Sequence, residues 1–181
     1  DWSRADTSLA MSVNLLLYGL TAPFAATLMA RYSIRKVGTL ALALIALGSG
    51  LTVFMTEVWQ LVLLWGVLVG VATGALALVG GAMVASRWFV KGRSLVTGIF
   101  SAAYATGSLV FLPLVSTLVD NSGWRVAVFV IAGFALAVAL LFGLLFRERP
   151  EVVGQFAYGA NSTIEVANKA PRSEEHTSEL Q

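Results

Sequence analysis

The chain has 181 residues, of which 57% are apolar and only 12% charged, with a formal net charge of +2. A soluble domain carries about 25% charged residues, so half of the charge needed to coat a water-facing surface is missing. That excludes a soluble globular enzyme, a nucleic-acid-binding module and a disordered chain, and the lack of cysteine excludes a disulfide framework or a thiolate metal site.

Residues 1–7 (DWSRADT) read as a polar loop outside the membrane. The chain begins at Asp1 and shows no secretory signal pattern, so the reading expects a first helix to precede it. Five uncharged stretches follow: 8–30, 37–56, 58–86, 94–119 and 126–146. About 20 helical residues cross a ~30 Å hydrocarbon core, and each stretch is long enough. Backbone groups in lipid must pair within their own segment, so each is predicted to be a helix. The expected fold class is therefore all-α, a polytopic transmembrane bundle. Residues 147–171 read as a polar cytoplasmic connector. The last ten, RSEEHTSELQ, resemble the translation of a sequencing adapter, and residues 172–181 are set aside as an artefact together with the chain's single histidine, His176.

The nine charges between residues 8 and 146 all fall in short loops. Arg31, Arg35 and Lys36 follow the first span, Arg87, Lys91 and Arg93 the third, and Arg147 and Arg149 the fifth. Basic loops mark the cytoplasmic side, which places residues 1–7 outside and the chain after Phe146 inside. This explains the basic balance without a nucleic-acid partner. Trp59, Trp88 and Trp124 sit at span edges, where an amphipathic ring suits the headgroup region.

Small residues let membrane helices approach closely. Gly66, Gly70 and Gly74 form one glycine face on the third span, which serves either helix contact alone or helix sliding. Gly98 with Ala102, and Ala103 with Gly107, repeat the spacing on the fourth. Two polar stripes stand out: Asn14, Tyr18 and Thr21 on the first span, and Thr97, Ser101, Tyr104 and Ser108 on the fourth. Polar groups in hydrocarbon need a partner or water, so each stripe either bonds a neighbouring helix or lines a wet path. Pro23 and Pro113 can kink their helices. No Asp, Glu, Lys, Arg or His lies inside a span, so no proton relay is expected there and no cofactor or metal is called for.

Three stretches resemble the major facilitator superfamily. LMARYSIRKV lies where that family has a Gly-x-x-x-Asp-Arg-x-Gly-Arg-Arg loop; Arg31, Arg35 and Lys36 fit its basic positions, while Ala26, Ala30 and Ser33 replace the first Gly, the Asp and the second Gly. SRWFVKGRSLVTG resembles a signature of the monocarboxylate-transporter and oxalate–formate antiporter branch, matching at Phe89, Lys91, Arg93, Leu95 and Gly98 and departing at Trp88, Gly92 and Val96. RERPEVVGQFAYG resembles the Arg-Pro-x-x-Val-Gly-x-x-x-Tyr-Gly ending of helix six in bacterial members of that branch.

The resemblance implies helices two to six of a twelve-helix transporter, completed by a first helix and by a second half of the same chain. It further implies a plasma-membrane location, alternating access about a midplane site, and a small organic anion as substrate, with a drug, a sugar or a non-transporting scaffold as alternatives. Gly66 where many proton-coupled members carry an Arg, and a fourth span without a Gly-Pro pair, weigh against a multidrug exporter. The candidate substrate contacts are Asn14, Tyr18, Ser101 and Tyr104. The candidate cytoplasmic gate is Arg31, Arg35, Lys36, Lys91 and Arg93, which positive-inside topology alone would also explain. An intramembrane enzyme would need a nucleophile with a base, or a metal cluster, and the spans supply neither.

Overall fold

A computed structural model describes residues 3–77, 80–147 and 157–159. The first two residues, most of the connector and the adapter-like tail lie outside the described residues. The helices are α1 (Arg4–Arg31), α2 (Ile34–Leu51), α3 (Val58–Leu61), α4 (Gly70–Ala77), α5 (Gly80–Trp88), α6 (Arg93–Ser122) and α7 (Trp124–Leu145). A π-helical stretch, Val62–Val69, joins α3 to α4, so the third apolar stretch is not regular α-helix throughout. Five helical segments are long and apolar enough to cross a membrane. The described residues contain no strand, only one isolated bridge between Phe89 and Tyr158.

Local chemistry sets the helix ends. Residues 4–7, expected in a loop, are helical because Ser3 and Asp6 form a capping box. The Asp6 amide donates to Ser3 Oγ at 3.2 Å, and the Ser3 amide donates to Asp6 Oδ2 at 3.1 Å, which satisfies donors that a helix start leaves open. Ser33 caps α2 by accepting from the Lys36 amide at 3.1 Å, with φ at 139°. Before α3, Gln60 Oε1 accepts from the amides of Thr56 and Glu57 at 2.7 and 3.2 Å. Gly92 (φ 77°) and Gly123 (φ 82°) bracket α6 in conformations that cost glycine nothing. α1 and α6 run on through Pro23 and Pro113.

The core is built mainly from small side chains. Ala25, Ala41, Ala72 and Ala75 form one buried cluster between α1, α2 and α4. Met29, Ile34 and Val37 form a second, with Met83, Phe142 and Phe146 packed against it. That cluster gathers the end of α1, the start of α2, α5 and the end of α7, so the basic loops share one end of the bundle. At the other end Phe54 meets Phe129 edge to face, centroids 6.4 Å apart. α1 packs on α4 and the π stretch, α2 on α7, and α6 on α7 and α5. α6 buries no residue, and the outer sides of α1 and α7 carry exposed Leu16, Leu20, Phe24, Phe134 and Leu144. Small residues inside and large apolar ones outside is the distribution expected where lipid surrounds the helices.

Candidate functional site

The first polar stripe is seated on the glycine face. Gly66, Gly70 and Gly74 lie against α1 so closely that a Cβ at Gly70 would sit 3.0 Å from the Asn14 Cα and carbonyl oxygen. A Cβ at Gly74 would overlap the backbone of Tyr18. With the two backbones this near, Asn14 Nδ2 donates to the Trp65 carbonyl at 2.7 Å. That carbonyl belongs to the π stretch, whose wider turn departs from the regular α ladder. Thr21 Oγ1 donates back to Leu17 O at 2.6 Å within its own helix. Asn14 and Tyr18 are both half-buried. The Asn14 amide thus spends one donor on holding two helices together.

The second stripe stands open. Thr97, Ser101 and Ser108 donate to the carbonyls of Arg93, Thr97 and Tyr104, each one turn back, at 2.9, 3.1 and 3.2 Å. A hydroxyl satisfied in this way keeps lone pairs that can accept from a ligand. Tyr104 is 74% exposed, and with Ser108, Gly107 and Phe111 it lines a shallow groove along α6. The four sequence-predicted contacts therefore fall in two places: Asn14 and Tyr18 at the α1–α4 seam, Ser101 and Tyr104 on the bare face of α6. Asn14, Tyr18 and Ser101 are not among the residues lining the Tyr104 groove.

The basic loops hold helix ends. Arg35 Nε donates to the Gly143 carbonyl in the last turn of α7. Arg93 Nε donates to Phe89 O at 2.6 Å and its Nη2 to Ser86 O at 3.3 Å, closing carbonyls at the end of α5. A cation there also opposes the negative end of the helix dipole. The Arg31 guanidinium lies 5.7 Å from the Tyr32 ring centroid. The Lys36 backbone is held by Ser33, and the stem of Lys91 lies against Gly159. Sequence reading identified these cations but not the carbonyls they reach, since Arg35 and Gly143 are 108 positions apart. It also did not foresee the seat of Asn14 on Gly70, although matching polar and glycine stripes on two spans are the signal that could have suggested it. Among the described residues no group of His, Cys, Asp or Glu could hold a metal ion.

Long neutral helices, small-residue seams and cations kept to helix ends, most of them at one end of the bundle, suit a membrane transporter. The charges expected in loops are in fact taken up by the helix termini, as at Arg31, Arg35, Arg87 and Arg93. Comparison with known proteins decides which kind of transporter. The family model of the Major Facilitator Superfamily matches residues 1–173. The chain belongs to the Major Facilitator Superfamily. It is 30% identical over 142 residues to an MFS-type transporter of Gibberella zeae (78% of this chain, 32% of the relative). It is 27% identical over 154 residues to monocarboxylate transporter 11 of Homo sapiens (83% and 32%). Over 151 residues it is 30% identical to the uncharacterized MFS-type transporter YhjX of Escherichia coli strain K12 (80% and 36%). The chain thus spans about a third of the length of the curated relatives it matches. As a Major Facilitator Superfamily member it is a multi-pass membrane protein of a transporter family, with an all-helical bundle as the sequence led us to expect.

Proposed function

We propose that this chain supplies helices two to six of a twelve-helix secondary transporter for a small organic anion, working by alternating access in the plasma membrane. The observation that carries the reading is the bare polar face of α6, where Ser101, Tyr104 and Ser108 line up on a helix with no buried residue. Polar groups on a membrane helix are costly unless they meet water, a partner or a ligand. Relatives named monocarboxylate transporters, at 24–29% identity, support the substrate class. Tyr104 would donate its hydroxyl to a carboxylate, and Ser101 would do so by turning its hydroxyl away from the Thr97 carbonyl, with the counter-charge supplied by parts of the protein beyond these five spans. Asn14 and Tyr18 would line a separate part of the path, at the α1–α4 seam. The partners are the substrate, the bilayer, the preceding helix and the second half of the same polypeptide.

The test is counterflow uptake by the full-length protein in proteoliposomes, with radiolabelled lactate or pyruvate set against a neutral sugar and a cationic drug. Uptake of the anions alone is expected. Removing a hydrogen bond to a charged group costs about 1.5–3 kcal/mol, so Tyr104→Phe should raise KM about tenfold or more at unchanged expression. Uptake of only the sugar or the drug would replace the substrate class, and no flux of any solute would favour a scaffold. An unchanged KM in both Tyr104→Phe and Ser101→Ala would remove α6 from the site.

A further inference from the structure

Two of the stretches on which the family resemblance rests meet in space, pairing residues 69 positions apart, Phe89 and Tyr158. The Tyr158 amide donates to Trp88 O at 2.8 Å, and Tyr158 O accepts from the amides of Val90 and Lys91 at 2.9 and 3.3 Å. This is a parallel bridge centred on Phe89 and Tyr158, whose rings lie 6.0 Å apart. Gly159 follows at φ 86°, a conformation that disfavours any side chain, and a Cβ there would lie 2.7 Å from Lys91 Cβ. The pairing also completes the end of α5. Trp88 O is closed by Tyr158, while Phe89 O and Ser86 O are closed by Arg93. The end of α7 lies alongside, since Leu145, Phe146 and Arg147 line one groove with Trp88 and Phe89.

We propose that Ala157–Gly159 is a clasp that fastens the segment after α7 to the loop between α5 and α6. It fixes the height and direction of the loop that bears Lys91 and Arg93. In a transporter of two halves, the tether to the second half is then fastened to the first half at Gly159. Both sides of the clasp belong to the same group of helices, so rocking of one half against another leaves it closed. The geometry stands without the transport reading; only the consequence for the tether rests on it.

These 181 residues contain no cysteine, and the test is run in membrane vesicles on the full-length protein with any cysteine outside them replaced by serine. Phe89→Cys with Tyr158→Cys places two thiols at a bridge pair, within the reach of a disulfide. Mild oxidation should protect both from a maleimide–polyethylene glycol mass tag. Arg125→Cys with Tyr158→Cys should remain doubly tagged. Adding Gly159→Val to the bridge pair should slow cross-linking about tenfold, because a branched residue in the left-handed region costs roughly 1–2 kcal/mol. Gly159 lies outside the spanning helices, so membrane insertion is the control and should be unchanged. A bridge pair that stays doubly tagged after oxidation, or cross-linking as fast with Gly159→Val as without it, overturns the clasp. Neither result bears on whether the protein carries an anion.

Discussion

Ser33 occupies a position that its own side chain disfavours. Its φ of 139° is glycine territory, and the family loop that this segment resembles carries glycine there. The serine offsets part of the strain by capping α2 through the Lys36 amide. A residue held in such a region costs about 1–3 kcal/mol, whereas exchanging a serine cap for glycine costs only a few tenths. Ser33→Gly should therefore stabilise the chain by about 1 kcal/mol. In detergent that is a rise in Tm of roughly 2–4 °C for a chain of this size. Ser33→Ala keeps the strain and loses the cap, so its Tm should fall. A lower Tm for the glycine variant would show that the cap outweighs the strain.

Among the helices, the two glycine-bearing stripes have different standing. Those of the third span are contact surfaces, while Gly98 on α6 faces open space. Gly74→Ala sets a methyl into the Tyr18 backbone, which cannot swing aside as a side chain would. Overpacking of this kind costs about 1–3 kcal/mol, and the melting temperature of the chain in detergent should drop by several degrees. Gly98→Ala should leave it unchanged or raise it, since alanine is the better helix former by about 0.5–1 kcal/mol. Equal losses at both positions would mean that α6 is packed as tightly as α4. Arg93 ties α5 to α6 at the basic end, so its effect belongs to the joint between them. With Arg93→Glu in the full-length protein we expect slower turnover and an unchanged KM, with faster hydrogen exchange at the end of α5. Unaltered turnover would reduce Arg93 to a topological charge.

For the whole molecule the question is orientation and completeness. The basic loops cluster at one end, around Met29, Ile34, Met83 and Phe146. If that end faces the cytoplasm, Lys91→Cys should react with a membrane-impermeant maleimide only after cells are permeabilised. Asn121→Cys, in the last turn of α6, should react in intact cells. The opposite labelling would invert the orientation. The chain covers about a third of its relatives' length, and the outer sides of α1 and α7 carry the large apolar residues expected where lipid surrounds the helices.

The neutral stretches and their punctuating cations were legible from composition alone. Lipid forces each spanning segment to satisfy its own backbone, so a span needs no knowledge of its neighbours. The family was legible too, through short local motifs around Arg31, Phe89 and Pro150. Local chemistry also carries the start of α1: the polar run 1–7 suggests a loop, but the Ser3–Asp6 capping box begins the helix at Arg4. What needed the tertiary structure is everything that depends on how one helix is rotated and shifted against another. Tyr18 and Ser101 look alike in sequence, yet one rests on Gly74 and the other on open space. Arg35 finds Gly143 and Asn14 finds Trp65 where helices approach closely at small residues, and Tyr158 finds Phe89 through a backbone bridge beyond the end of α5. A stripe of side chains records which face of a helix is special, but the partner of that face is chosen by close contact among all the helices at once.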